Sequence, residues 1–139
     1  MAMDLQNVDA MISLHACDTA TDYALGYAIK NNVKNIFSVP CCQQEVVAQI
    51  KSSGELAPLL RHGLFKERFS ALLTDAIRCE ALRENGYAVD AVEFVGEENT
   101  PKNAMIRARH TGRRSAAGEA RKLAAHFGVE QTLLKILED

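Results

Sequence analysis

The sequence predicts an α/β fold that opens with a parallel strand pair, and three observations carry the prediction. Residues 8–14 form a near-continuous apolar run, and residues 35–39 form another. A helical pattern lies between them, so strand, helix and strand occupy about thirty residues, the size of a βαβ unit. Each apolar run closes in a polar cluster. The first is His15-Ala16-Cys17-Asp18-Thr19-Ala20-Thr21-Asp22, and the second is Pro40-Cys41-Cys42-Gln43-Gln44-Glu45. Ligands of open α/β sheets sit at the carboxyl ends of the strands. The unit should therefore bring His15, Cys17 and Asp18 beside Cys41, Cys42 and Gln43.

Residues 8–14 have the composition of a strand covered on both faces. Thr19-Ala20-Thr21-Asp22 has the pattern of a capping box, a hydroxyl followed three residues later by a carboxylate. A helix over residues 22–31 follows, with Tyr23, Tyr27 and Ala24, Ala28 at helical spacing and Asn31-Asn32 to end it. Pro40 stops the second strand because it has no N–H to give to a ladder. A short helix is expected over 43–51, broken by Ser52-Ser53-Gly54. Residues 55–63 connect to a long helix. Its expected apolar stripe is Phe65, Phe69, Leu72, Leu73, Ala76 and Ile77, with Lys66, Arg68, Asp75 and Arg78 outside it. Gly86 is placed to cap its end. Residues 87–95 and 104–109 have strand composition, and the loop between them suits an antiparallel pair. An amphipathic helix over 115–127, stopped by Gly128, and a last helix over 129–137 complete the chain.

Composition narrows the function. Hydrophobic content of 47% and charged content of 24% are those of a globular domain, with no apolar stretch near the ~18 residues a membrane span needs. The N-terminus lacks the basic and apolar regions of a signal peptide. Two of the four cysteines are adjacent, which does not suit a disulfide framework, so a reduced cytoplasmic setting is expected. Charge is uneven. Residues 1–101 carry 8 Lys/Arg against 14 Asp/Glu, whereas residues 102–139 carry 8 against 4. The excess lies in Lys102, Arg107, Arg109, Arg113, Arg114, Arg121 and Lys122. It reads either as a nucleic-acid footprint or as a solvated face.

The run from Leu14 to Asp22, with Val39-Pro40-Cys41-Cys42-Gln43 downstream, resembles the second half of a class I S-adenosylmethionine-dependent methyltransferase. It looks like the bacterial members of a family that includes eukaryotic tRNA 2′-O-methyltransferases. Arg61-His62-Gly63, the run from Phe69 to Asp75, and Thr100-Pro101-Lys102-Asn103 add to the likeness, which covers roughly residues 8–109. The resemblance implies a partial Rossmann-like sheet, strands four to seven of that fold with a terminal antiparallel hairpin, plus C-terminal helices. Residues 1–110 would be the half-domain and 111–139 a helical extension. The glycine-rich loop and the ribose-binding acid of the first half have no counterpart here, since the eight glycines are scattered. S-adenosylmethionine is the implied cofactor, though binding by this chain alone is not expected. The expected partners are an RNA acceptor and either a second copy of the chain or an N-terminal half, because residues 8–14 would leave an unpaired sheet edge.

The same resemblance implies site residues. His15 and Asp18 would orient the acceptor or take its proton. Cys41 and Cys42 would shape the pocket or act covalently. His15, Ala16 and Cys17 would contact the cofactor, and Pro40, Gln43, Lys102 and Asn103 the substrate. The structural alternatives are that Asp18 caps a helix, His15 packs, the cysteines are small buried side chains, and Lys102 is a solvated loop residue. Thr19, Thr21 and Asp22 read as capping residues. His15, Cys17, Cys41 and Cys42 have the donor types of a zinc site. No metal is assigned, because adjacent cysteines rarely both reach one tetrahedral centre.

Overall fold

The computed structural model describes residues 7–93 and 104–139. Strand β1 (Ala10–Leu14) leads into helix α1 (Thr19–Lys30) and strand β2 (Asn35–Val39). Helix α2 (Gln44–Gln49), a 3-10 turn (Gly54–Leu56) and the short helix α3 (Ala57–Leu60) bring the chain to the long helix α4 (Gly63–Glu84). Strands β3 (Tyr87–Glu93) and β4 (Ala104–His110) follow, then helices α5 (Glu119–His126) and α6 (Thr132–Glu138).

The sheet order is β1-β2-β4-β3. β1 and β2 are parallel, with Ala10 opposite Asn35 and Leu14 opposite Val39. β4 runs antiparallel to both β2 and β3. The expected antiparallel hairpin is present, and its second strand lies inside the first, against β2. Among the described residues β1 is an edge strand, as expected.

Side chains alternate between sheet faces, and the two faces differ. Ser13, Ile36, Ser38, Tyr87, Val89, Ile106 and Ala108 share the buried face. On the other face Ile12 is 67% and Leu14 is 61% exposed, and Ala88, Asp90, Arg107 and Arg109 are exposed beside them. The expectation that β1 is covered on both faces is therefore corrected. Among the described residues, helices pack on one side only of this strand.

Local chemistry explains the helix ends. Asn32 takes a left-handed φ of 50°, which asparagine tolerates better than most residues. Its N–H then donates to Ile29, and the Val33 N–H donates to Ala28, closing the end of α1 in a Schellman pattern. Gly86 caps α4 with a φ of 94°. The capping box at the start of α1 does not form. Asp18 is the N-cap residue without a side-chain cap bond, Thr21 donates back to the Ala16 carbonyl at 2.8 Å, and Asp22 is wholly buried. The buried side of α4 is also rotated from expectation. Leu73 and Ile77 are core, but Leu72 is 72% exposed and Arg78 is fully enclosed.

One core runs through the described residues. Leu25, Ala28, Val33 and Ile36 pack in the same cluster as Ala120, Ala124, Val129 and Leu133. The Tyr87 hydroxyl, 2.9 Å from the Val33 carbonyl and 3.1 Å from that of Ala28, ties β3 to the turn after α1. α6 lies against α1. Gly26 permits this approach, since a Cβ there would stand 2.6 Å from Ile136 Cγ2.

Candidate active-site crevice

The ends of β1 and β2 are level. One residue past the ladder, the His15 N–H donates to the Val39 carbonyl at 3.3 Å. The loops carrying residues 15–18 and 40–43 thus leave the sheet side by side. His15 and Asp18 have φ values of 54° and 47°, uncommon for residues other than glycine. Specific bonds hold this backbone. The Asp18 carboxylate accepts the Glu45 N–H, 3.0 Å from one oxygen and 3.2 Å from the other. The Asp18 carbonyl accepts Arg78 Nη2 at 3.0 Å. Asp18 therefore staples the first loop to the start of α2, which commits its carboxylate to a structural bond.

Beneath the loops lies a buried ionic network. Arg78 donates from Nε to Asp22 at 2.7 Å and from Nη1 to Asp75 at 2.9 Å. Asp22 also accepts the Leu133 N–H at 3.3 Å. Gln43 Nε2 donates to Asp75 at 3.4 Å. One guanidinium thereby serves both loops, directly at Asp18 and through Asp75 at Gln43. Burial pushes the carboxyls of Asp22 and Asp75 above the usual carboxylate range, and the Arg78 charge pulls them part of the way back. α2 is pinned from its far side as well, where the Glu45 carboxylate accepts the Thr132 hydroxyl at 2.6 Å and the Thr132 N–H at 3.1 Å.

The cysteines converge. Sγ of Cys17 lies 3.7 Å from that of Cys41 and 3.8 Å from that of Cys42, and the Cys41 and Cys42 sulfurs are 3.6 Å apart. Cys17 is exposed and the other two are partly buried. Desolvation, then contact with the other two sulfurs, pushes the Cys41 thiol up to about 11. As a free thiol it is protonated at neutral pH, which disfavours a covalent role. Adjacent cysteines rarely both reach one tetrahedral centre, yet here the three sulfurs from two loops lie within 4.8 Å of one another.

A mostly apolar cavity of about 270 Å³ opens next to the second loop, lined by Pro40, Gln43, Leu64, Ala71, Leu72 and Asp75 among others. Gln43 is 4% exposed. Its Oε1 has no hydrogen-bond partner among the described residues, while its Nε2 is fixed on Asp75. Gln43 thus leaves a spare acceptor beside an apolar hollow.

Of the expected site residues, His15, Ala16, Cys17, Asp18, Pro40, Cys41, Cys42 and Gln43 fall on two adjoining strand-end loops, and Pro40 and Gln43 also line the cavity. Lys102 and Asn103 lie outside the described residues. Asp75 and Arg78 were missed. Their signal was an acid and an arginine three apart in the middle of the long helix. The same spacing is ordinary on exposed helix surfaces, so pattern alone assigned them to solvent.

Residues 2–49 match a family model described as a methyltransferase domain. No curated protein and no solved structure matches the chain. No helix among the described residues is long and apolar enough to cross a membrane. A methyltransferase of this kind implies a cofactor of the S-adenosylmethionine type, and the fit of that group to these residues is partial. The crevice offers loop residues and one apolar hollow, but no glycine-rich turn occurs anywhere in the chain. The matched stretch contains β1, α1, β2 and both polar loops, and it supports a methyltransferase.

Proposed function

We propose that this chain is the acceptor-side part of an S-adenosylmethionine-dependent methyltransferase whose acceptor is RNA. One observation carries the reading. The segment that matches a methyltransferase domain ends two parallel strands side by side, and the loop after the second strand borders a cavity through Pro40 and Gln43. In this reading exposed His15 orients the acceptor or receives its proton, and Pro40 and Gln43 bound the acceptor pocket. The rest of the cofactor's surroundings comes from an N-terminal half of the fold or from a second copy. Calorimetry with S-adenosylhomocysteine tests this. Saturable heat is expected from the chain at concentrations where it self-associates, or after addition of an N-terminal half. No heat in either setting would overturn the assignment.

The RNA acceptor rests on the resemblance and on the basic C-terminal segment. Part of that charge is internally paired. Arg107 pairs with Asp90 at 3.1 Å, Lys122 with Glu119 at 2.8 Å, and Arg121 with Glu138. Arg109, Arg113 and Arg114 remain exposed and are the better candidates for phosphate contacts. Changing Arg113 and Arg114 to glutamate should weaken RNA binding and lower its salt slope by about two. An unchanged slope would make the segment a solvated face.

The uncovered apolar face of β1 favours a second reading, a non-catalytic module that pairs with itself or with a partner chain. Exposed apolar edges invite such pairing. A scattering mass that rises with concentration, without cofactor heat, would select this reading. A clean monomer would remove its self-pairing form.

A further inference from the structure

We propose that Cys17, Cys41 and Cys42 form a zinc site, with three thiolates on one ion and a fourth position open toward solvent. Zinc binds thiolate sulfur at about 2.3 Å in a tetrahedron, which sets neighbouring sulfurs about 3.8 Å apart. The three separations here are 3.6, 3.7 and 3.8 Å. All three edges of the triangle match one face of such a tetrahedron.

The fold collects these sulfurs from two places. Cys17 follows β1, and the Cys41-Cys42 pair follows β2. The two loops are held together by the Asp18 bonds to Glu45 and Arg78. Thiol–thiol contacts give little reason for the gathering, since the S–H group is a weak donor and sulfur a weak acceptor. Soft thiolate donors select zinc or Cu(I) over magnesium and calcium, which take oxygen. Binding releases the thiol protons to solvent as three thiolates form on the ion. Three protein ligands with a free position is the pattern of catalytic rather than structural zinc. Exposure of Cys17 leaves room there for water or for a donor atom of a bound molecule. Neither the family match nor the proposed methyl transfer requires this metal, so the site stands or falls separately.

The test uses the full chain, reduced and stripped with a chelator. Zinc is titrated in competition with a chromophoric chelator, and cobalt(II) serves as a spectroscopic substitute. One equivalent of zinc is expected. The cobalt form should show sulfur-to-metal charge transfer and the intense visible bands of tetrahedral coordination. Cys17→Ser and Cys42→Ser should each weaken zinc by more than the roughly 10–100-fold that loss of an outer-shell partner costs. Cys79→Ser, at a buried position in α4, should leave stoichiometry and spectrum unchanged. Circular dichroism of the exposed-position variant Cys17→Ser separates lost binding from lost folding. Well below one equivalent, an octahedral cobalt spectrum without charge transfer, or affinity indifferent to both loop variants in folded protein would each overturn the site.

Discussion

Replacing Arg78 with methionine is expected to cost about 3–5 kcal/mol of folding stability. Arg78 is fully buried, and its guanidinium is the cation shared by Asp22 and Asp75. Methionine fills similar space but strands two carboxyls in a medium that disfavours their charge. Removing one partner of a buried pair is far costlier than the net worth of the pair, because the remaining charge goes uncompensated. A domain of this size has about 5–15 kcal/mol in total, so the variant should unfold at much lower denaturant. The companion variant Arg78→Met/Asp22→Leu/Asp75→Leu should regain part of the loss, since apolar replacement of a buried network is often tolerated. Denaturant melts check both. A single-variant cost below about 1 kcal/mol would mean that water reaches the network and solvates it.

Deleting residues 129–139 should abolish the cooperative melt. Val129, Leu133 and Leu134 are 5%, 0% and 8% exposed. Burial of such side chains contributes about 1.5–3 kcal/mol each, so the three together contribute about 4.5–9 kcal/mol. The deletion also removes the Leu133 N–H and the Gln131 amide from Asp22, and it bares the face of α1 that Gly26 keeps low for Ile136. The expected thermal profile by circular dichroism is broad and without a sharp midpoint. A sharp melt within a few degrees of the intact chain would show that α6 is peripheral.

The strands and the long helix were legible because their patterns are local. Residues 35–39 and the capping positions Asn32 and Gly86 behave as their chemistry predicts. The rotation of α4 was not legible. Leu72 and Phe65 look like core residues in a one-dimensional pattern, yet both are exposed, and the helix instead turns Arg78 inward. That inversion depends on Asp22, which lies 56 residues away, and no periodicity reports a partner at that distance. Asp22 was misread for the same reason, because its spacing from Thr19 satisfies a capping pattern while its carboxylate goes elsewhere. The crevice was better predicted than its chemistry. Placing both loops at strand ends sufficed to bring them together. The same placement set Cys17 beside Cys41 and Cys42, while the left-handed turns at His15 and Asp18 and the commitment of the Asp18 carboxylate to Glu45 are not announced by side-chain identity.

The strand order has a consequence for synthesis. β2 is complete at Val39, but the neighbour on its inner edge begins only at Ala104. At ~5–20 residues per second the ribosome leaves that edge without its mate for several seconds. During this interval β2 has only β1 to pair with, and β1 carries Ile12 and Leu14 on a face that is exposed among the described residues. The nascent chain therefore passes through a stage with a two-stranded ribbon that is backed on one side by α1 and unpaired along its inner edge. Chaperone capture, and aggregation where capture fails, should concentrate at this stage, before β4 emerges to close the gap.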